Sequence, residues 1–212
     1  MMKATPLPLA SRLMLLLRLV IFAFALSGCA SPVKEHFYQL RFSTTETHTE
    51  AVARTTQYDV MIDSVMIPEA INRPQLVVQK SATEAQILDE QRWVAPLDEQ
   101  IRQALQANLQ AQLPNAWLSQ HPQGHPSAQH YVIRTEVRDL RITPSREVSM
   151  DVVWIIYDAN RNPLKRQQRR VTAVLNDNNY ATIAPAISTL LQDLSDNIAV
   201  DLRRLTEVQA TP

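Results

Sequence analysis

Cysteine and glycine are almost absent from this chain of 212 residues, which contains one Cys and two Gly. One thiol cannot build an internal disulfide framework or an all-cysteine metal site. Two glycines exclude the glycine-rich loops that cradle phosphates, because those loops need two or three glycines in close spacing. The formal net charge is zero, so nothing indicates a nucleic-acid-binding surface. The length favours one domain with a real hydrophobic core.

The amino-terminal 28 residues have the composition of an export signal. They carry Lys3, Arg12 and Arg18 and no acidic residue, and an apolar run follows at residues 19–26. A basic segment, a short apolar segment and small residues at the junction predict a signal peptide over residues 1–28. The apolar run is too short for a transmembrane helix, which needs roughly 20 apolar residues.

Cys29, the only cysteine, stands directly after this segment. The sequence Leu26-Ser27-Gly28-Cys29 resembles the bacterial lipobox. In that class of signal the thiol receives a diacylglycerol, the chain is cut before the cysteine, and the new amino terminus is acylated with a fatty acid such as palmitate. Ala30 and Ser31 follow instead of the aspartate that retains lipoproteins in the inner membrane of enteric-type bacteria, so the resemblance implies the outer membrane. The alternative is an ordinary signal peptide followed by an inert cysteine.

Cleavage before Cys29 would divide the chain into a short tether and one domain. It removes three cations and no acid, so the mature chain has a net charge of about minus three. The predicted organisation is a signal peptide at 1–28, a lipidated cysteine and spacer tether at 29–36, a single α+β domain at 37–208 and a tail at 209–212.

Alternating apolar and polar residues predict strands along most of the mature chain. The predicted strands cover residues 37–42, 58–67, 75–80, 85–90, 117–119, 131–142, 147–158 and 164–175. One face of a single strand carries Val148, Met150, Val152, Trp154 and Ile156. Residues 43–56 lack periodicity and are predicted to form a mobile loop.

Two helices are predicted from apolar residues that recur every three or four positions. The first begins near Pro96 and ends before Pro114, and the second covers residues 180–208. The order of strands, helix, strands and helix predicts the α+β class. We expect a largely antiparallel sheet packed against the two main helices as a two-layer sandwich.

Motifs for catalysis and metal binding are weak in this sequence. His121 and His125 are spaced like a zinc pair with His130 nearby, but prolines interrupt the segment, so a solvated loop is favoured. Asp98 and Glu99 fit the positive end of a helix dipole better than they fit an acid/base pair. We therefore predict no enzyme activity, no catalytic residue, no cofactor and no metal.

The densest charge run covers residues 165–170, with the sequence Lys-Arg-Gln-Gln-Arg-Arg. A solvent-facing or edge strand kept soluble by its cations is the main interpretation. The alternative is a surface for a partner or for anionic lipid headgroups. Trp93 and Trp154 are predicted in the core, although Trp93, just before a helix start, could also anchor an interface.

Four short motifs follow the lipobox in a fixed order. They are Phe37-Tyr38-Gln39-Leu40, Val65-Met66-Ile67-Pro68, Arg73-Pro74-Gln75-Leu76-Val77 and Arg92-Trp93-Val94-Ala95-Pro96-Leu97, the last opening a helix that ends at Leu113-Pro114. This series resembles the ABC-type transport auxiliary lipoproteins of the PqiC type, a paraquat-inducible, membrane-integrity group. The resemblance covers essentially the whole mature chain.

The resemblance implies an outer-membrane lipoprotein that faces the periplasm and supports membrane integrity. Its implied partner is an MCE-domain protein that forms a conduit for lipids between the two membranes, and a homo-oligomeric ring on that conduit is a further implication. Only Cys29 carries over as a defined functional residue. The alternatives are a structural or assembly lipoprotein of the envelope, and a periplasmic protein that binds lipid in an apolar cavity.

The partner surface is predicted at exposed apolar residues of two segments, the helix start at 93–97 and the loop at 67–76. The candidate residues are Trp93, Pro96, Leu97, Ile67, Pro68 and Arg73.

Overall fold

The computed structural model describes residues 34–41, 58–119 and 129–209, with side chains to residue 207. From Glu35 onwards these residues belong to one compact unit. The predicted signal peptide, Cys29, the predicted loop at 43–56 and the pair His121 and His125 lie outside the described residues.

The elements follow the predicted order. The strands are β1 (His36–Tyr38), β2 (Tyr58–Met66), β3 (Gln75–Gln79), β4 (Ala85–Trp93), β5 (Ala116–Ser119), β6 (His130–Thr143), β7 (Glu147–Tyr157) and β8 (Pro163–Val174). The helices are α1 (Leu97–Gln112) and α2 (Ile183–Gln209), and a 3₁₀ turn (Tyr180–Thr182) precedes α2. Pro96 stands at the amino-terminal cap of α1, where its missing N–H leaves no helical hydrogen bond unmade.

Eight strands form two mixed sheets in the described part of the chain. The larger has the order β5-β2-β6-β7-β8, and the smaller has the order β1-β4-β3. β2 runs parallel to both of its neighbours, β5 and β6, and β1 runs parallel to β4. The remaining pairs, β3–β4, β6–β7 and β7–β8, are antiparallel. The α+β class with two main helices is confirmed.

The longest pairs, β6–β7 and β7–β8, are antiparallel as expected. The second, smaller sheet and the parallel pairs of β2 were not expected. The reason for the parallel pairs is the long connection after β2. Parallel neighbours need a crossover of a dozen or more residues. The segment of β3, β4 and α1 provides that crossover between β2 and β5.

Both helices cover one face of the larger sheet and contact each other, α1 against β2 and β5, and α2 against β7 and β8. The alternate residues of β7 that were predicted on one face are all buried there. Trp93 and Trp154 are core residues, as predicted. The hydrophobic face of each element is therefore what holds the helices on the sheet.

β8 forms one edge of the larger sheet. Arg166, Arg169 and Arg170 on this strand are exposed. The interpretation of the basic run as a solvent-facing edge strand is confirmed, and the cations discourage edge-to-edge pairing with another chain.

The turns in the described part of the chain contain no glycine. Ser145 and Arg161 have φ values of 55° and 65°, in the left-handed region that glycine usually occupies. In the β7–β8 turn, the carboxylate of Asp158 accepts hydrogen bonds from the backbone N–H groups of Asn160 and Asn162, at 2.9 and 2.8 Å. Side chains of Asp and Asn replace the missing glycines, in agreement with their known role in turns.

Candidate functional site

The motif segments that are far apart in the sequence meet at the start of α1. The backbone N–H of Trp93 donates to the carbonyl of Pro74 at 2.7 Å, and the N–H of Val94 donates to the carbonyl of Tyr38 at 2.9 Å. Gln75 is the register partner of Arg92. The backbone thus joins three motif segments into one surface.

Gln100 ties this surface to α1. Its side-chain N–H donates to the carbonyl of Ala95 at 2.8 Å, and its oxygen Oε1 accepts from the N–H of Leu40 at 3.0 Å. Gln100 is buried among apolar residues, so both of its bonds form where water cannot compete. The side-chain amide of Gln100 therefore holds the turn before α1, at Ala95, close to the segment after β1, at Leu40.

The buried role of Gln100 was not predicted from the sequence, although its position in α1 indicates it. Gln100 lies on the same helix face as Leu97, Ile101 and Ala104, all of which are buried. A polar residue within an apolar stripe is unusual, and it marks a side chain with fixed hydrogen-bond partners.

The surface contains a shallow pocket of about 400 Å³, which we call the helix-start pocket. It is lined by Asn72, Arg73, Pro74, Trp93, Val94, Ala95, Pro96 and Asp98. The two predicted partner segments, 93–97 and 67–76, both contribute to it. Val94 has 54% of its surface exposed, and Pro96 is also exposed, so an apolar rim faces solvent.

The predicted interface residues divide into three groups. Trp93 and Leu97 are only 5% and 1% exposed and belong to the core, so the expectation that they are exposed is wrong. They are buried because both face inward beneath the small sheet and α1, where their large apolar surfaces leave water. Arg73 and Pro96 do line the pocket.

Ile67 and Pro68 are half-buried and do not line the pocket. Ile67 packs against the core. The carbonyl of Pro68 accepts from the N–H groups of Ile71 and Asn72, at 3.0 and 3.1 Å, and so closes the turn that leads to Arg73. These two residues shape the loop beneath the pocket.

The acidic residues at the start of α1 act as helix-start residues. Asp98 and Glu99 lie in its first turn. The carboxylate of Glu99 accepts hydrogen bonds from Arg102 and Gln103. The hydrogen bond from Arg102, and then the one from Gln103, hold the pKa of Glu99 below its usual value. A carboxylate that is held ionised in this way is a poor proton donor.

A charged cluster joins β2, β6 and the β7–β8 turn of the larger sheet. Asp63 accepts from Arg134 at 3.1 Å and from Arg161 at 2.9 Å. The Arg134 guanidinium also lies 5.9 Å from the centre of the Tyr157 ring. Burial alone would raise the pKa of Asp63, but the two arginines outweigh it and lower that pKa. No local sequence pattern predicts this cluster, because its members are far apart in the sequence.

Residues 34–41, 58–119 and 129–209 contain no group of three His, Cys, Asp or Glu residues that could hold a metal ion, and His130 begins β6. None of the helices described there is long and apolar enough to span a bilayer.

The chain matches known proteins over most of its length. A family model described as "ABC-type transport auxiliary lipoprotein component" matches residues 38–199. The intermembrane transport lipoprotein PqiC of Escherichia coli K12 is 25% identical over 186 residues, which is 87% of this chain and 96% of that protein. The PqiC protein of Shigella flexneri matches to the same extent.

Two solved structures share the fold. A crystal structure of an uncharacterized protein superposes with a TM-score of 0.67 at 19% identity, covering 80% of this chain and 99% of the other. Protein XCC0632 from Xanthomonas campestris superposes with a TM-score of 0.62 at 12% identity, covering 82% and 100%. The α+β arrangement of two helices on a mixed sheet therefore recurs in other proteins.

Proposed function

The chain belongs to the family of ABC-type transport auxiliary lipoprotein components, and on that premise we propose that it docks an MCE-domain tunnel protein at the outer membrane. It is a membrane-associated lipoprotein of a transport system, in a family that is not an enzyme family. In the proposal, acyl chains on Cys29 hold the domain at the periplasmic face of the outer membrane. The domain contacts the tunnel protein without catalysis and thereby supports lipid transport and membrane integrity.

One observation carries the docking proposal. The motif segments that carry the family resemblance come together at the helix-start pocket, where the exposed Val94 and Pro96 form its rim. Apolar residues that face solvent beside a pocket are typical of a protein–protein contact. The buried Gln100 holds this surface in shape, so that a partner meets a preformed site.

The lipid anchor has support of a different kind. Leu26-Ser27-Gly28-Cys29 contains the only thiol of the chain, and the relatives named above are lipoproteins. Several acyl chains on one residue would make the attachment stable, because each buried methylene contributes roughly 0.8 kcal/mol.

A homo-oligomeric ring on the conduit is part of the same proposal. The larger sheet ends in β5 on the side opposite the cationic β8, and β5 carries no charged residue, so its edge is where a neighbouring copy would make contact. Mild crosslinking of native membranes would show the ring as a ladder of multiples of this chain.

Co-purification from detergent-solubilised membranes tests the docking. The variant Val94→Asp places a charge on the rim of the helix-start pocket, and we expect it to lose the MCE-domain protein. Val174→Asp is the matched control, since Val174 is 74% exposed on β8, outside this pocket. Trp93 is unsuitable for this test, because truncating a buried Trp destabilises the fold by about 3–5 kcal/mol.

The outcome separates docking from other functions. Full retention of the MCE-domain protein by the Val94→Asp variant would remove the helix-start pocket from the interface. Absence of any MCE-domain protein from the unmodified complex would favour a structural lipoprotein of the envelope instead.

A further inference from the structure

A cationic groove lies between two turns, at the opposite end of β4 from the helix-start pocket. Its volume is about 320 Å³, and it forms where the β3–β4 turn approaches the end of β6 and the start of β7. The lining contains four cationic side chains, Lys80, Arg141, Arg146 and Arg170. It also contains two acidic residues, Asp139 and Glu147.

The acidic residues do not neutralise all of these cations. Nε of Arg141 lies 2.8 Å from the carboxylate of Asp139, and the guanidinium of Arg170 lies 3.6 Å from that of Asp151 on β7. Lys80 and Arg146 are exposed and form no ion pair within the described part of the chain. The groove therefore presents uncompensated positive charge to an incoming ligand.

Backbone hydrogen bonds hold both turns in place. The N–H of Arg146 donates to the carbonyl of Thr143 at 3.1 Å, and the carbonyl of Arg146 accepts from Leu175 at 3.0 Å. On the other turn, the N–H of Lys80 donates to the carbonyl of Glu84 at 2.9 Å. The backbone from which the two unpaired cations project is therefore held in place.

The groove lies on the side from which the chain enters the domain. β1 runs parallel to β4, and its first residue, His36, pairs with Gln91. β4 starts at Ala85, directly after the β3–β4 turn. Because the two strands are parallel, Lys34 and Glu35 precede β1 on the side that leads along β4 towards this turn. The six residue steps from Cys29 to Glu35 can span at most about 20 Å, so an anchor at Cys29 would keep that side near the membrane.

We propose that this groove binds the phosphates of anionic phospholipids in the bilayer that holds the anchor. The inference rests on the proposed lipid attachment at Cys29. Guanidinium and ammonium groups pair with phosphate oxygens through charge-assisted hydrogen bonds. Each cation close to an anionic membrane surface contributes about a fivefold preference for the docked arrangement. The anchor attaches the domain, and the groove orients it, so that the helix-start pocket points away from the bilayer.

A fluorescence experiment on the full-length lipidated protein tests this orientation. Thr83→Cys, in the exposed β3–β4 turn but outside the lining of the groove, would give the only reactive thiol once Cys29 is lipidated, and it can carry an environment-sensitive dye. The labelled protein is reconstituted in vesicles of phosphatidylcholine, alone or with one third phosphatidylglycerol. We expect a blue shift of the emission only in the anionic vesicles. Salt at about 0.5 M should reverse the shift, because it screens charges beyond about 4 Å.

Matched variants establish whether the groove is responsible. Arg146→Glu and, independently, Lys80→Glu should each lower the ratio of docked to undocked protein at least about fivefold. Arg204→Glu makes the same change of charge on the exposed face of α2 and should leave the shift intact. A dye on Asn115→Cys, in the turn after α1, should show no shift.

Three results would overturn the proposal. The first is equal emission in both kinds of vesicle. The second is an equal loss of the shift in the Arg146→Glu and Arg204→Glu variants, which would indicate unspecific attraction. The third is displacement by millimolar inorganic phosphate, which would identify the groove as a site for free phosphate.

These outcomes differ from a failure of the anchor or of the docking. Without the anchor, the protein would fail to float with vesicles of either composition. Without MCE docking, the co-purification would fail while the blue shift persisted.

Discussion

The indole Nε1 of Trp154 donates a hydrogen bond of 3.1 Å to Oδ2 of Asp201, joining the centre of β7 to α2 inside the core. Both side chains are buried. Trp and Asp are rarely so deeply buried without a partner, because an unpaired polar group loses its bonds to water. This bond sets which turn of α2 lies over the sheet.

Replacing Asp201 should therefore destabilise the domain. In Asp201→Ala the indole N–H has no acceptor, and we expect the free energy of unfolding to fall by about 1–3 kcal/mol. Asp201→Asn keeps an oxygen acceptor in the same place and should lose less. Urea denaturation followed by tryptophan fluorescence measures both, and equal losses in the two variants would contradict the role of the hydrogen bond.

Gln100 is expected to stabilise the start of α1 and the surface above it. Gln100→Ala removes the acceptor for Leu40 and the donor to Ala95, and should lower the free energy of unfolding by about 1–3 kcal/mol. Gln103→Ala, on the exposed side of the same helix, is the control and should change it by at most about 0.5 kcal/mol. Equal stability of the two variants would show that the two hydrogen bonds of Gln100 do not stabilise the fold.

Asp63 should make stability depend on pH in a defined direction. Its pKa is raised by burial but lowered further by Arg161 and Arg134, so the folded value lies below the ordinary value of 3.8. The ionised form therefore stabilises the fold fully above pH 3.8, and this contribution is lost as the pH falls through the folded-state pKa. Because the cluster is partly exposed, Asp63→Asn should lose only about 0.2–1 kcal/mol at neutral pH.

Denaturation of both proteins across the acid range measures this effect. The difference between the unmodified protein and Asp63→Asn should shrink as the pH falls below 3.8. Asp89→Asn, which removes an exposed carboxylate on β4, controls for the loss of one charge. A difference that grew with acidity would reverse the assigned sign.

Cys29→Ala should abolish the attachment of lipid. Cells that express this variant should incorporate no radioactive fatty acid into the protein, because no other thiol is available to receive a diacylglycerol. Ser27→Ala keeps a small residue before the cysteine and should be labelled normally. Persistent labelling of the Cys29→Ala variant would exclude the proposed anchor.

The elements of this fold could be predicted from local periodicity. The five apolar residues of β7 lie every second position, and all are buried on the side of the helices. The stripe of α1 at Leu97, Ile101 and Leu105 is likewise buried. The backbone geometry of strands and helices repeats the side-chain direction every 2 and every 3.6 residues, respectively. Such periods can therefore be recognised in the sequence of one element, without knowledge of the strand or helix it packs against.

The pairing of the strands could not be predicted in the same way. The parallel alignment of β2 with β5 and β6 depends on residues that are distant in sequence, and no local pattern records the partner. Parallel strands that are buried on both faces also lose strict alternation, as Tyr58, Asp59, Val60 and Met61 show by all being buried.

The two segments predicted to carry a partner surface do meet at the helix-start pocket, but the expected exposure of Trp93 and Leu97 was wrong. Arg73 and Pro96 line this pocket. Trp93 and Leu97 alternate with the exposed Val94 and Pro96 and face the core instead. A large apolar residue at a helix start satisfies the pattern of a core residue and of an interface residue equally, so only the packing of β1 and β4 decides between them.

The position of β2 between two strands that follow it in the sequence has a consequence for biogenesis. A chain that leaves a ribosome or a translocation pore with its amino terminus first delivers β2 before either of its parallel neighbours. β3, β4 and α1 must emerge before β5 can pair with it, and β6 comes later still. During that interval an apolar strand has two open edges, which is the state most prone to aggregation. Both edges of β2 are therefore covered only after the chain has emerged as far as residue 143, the end of β6.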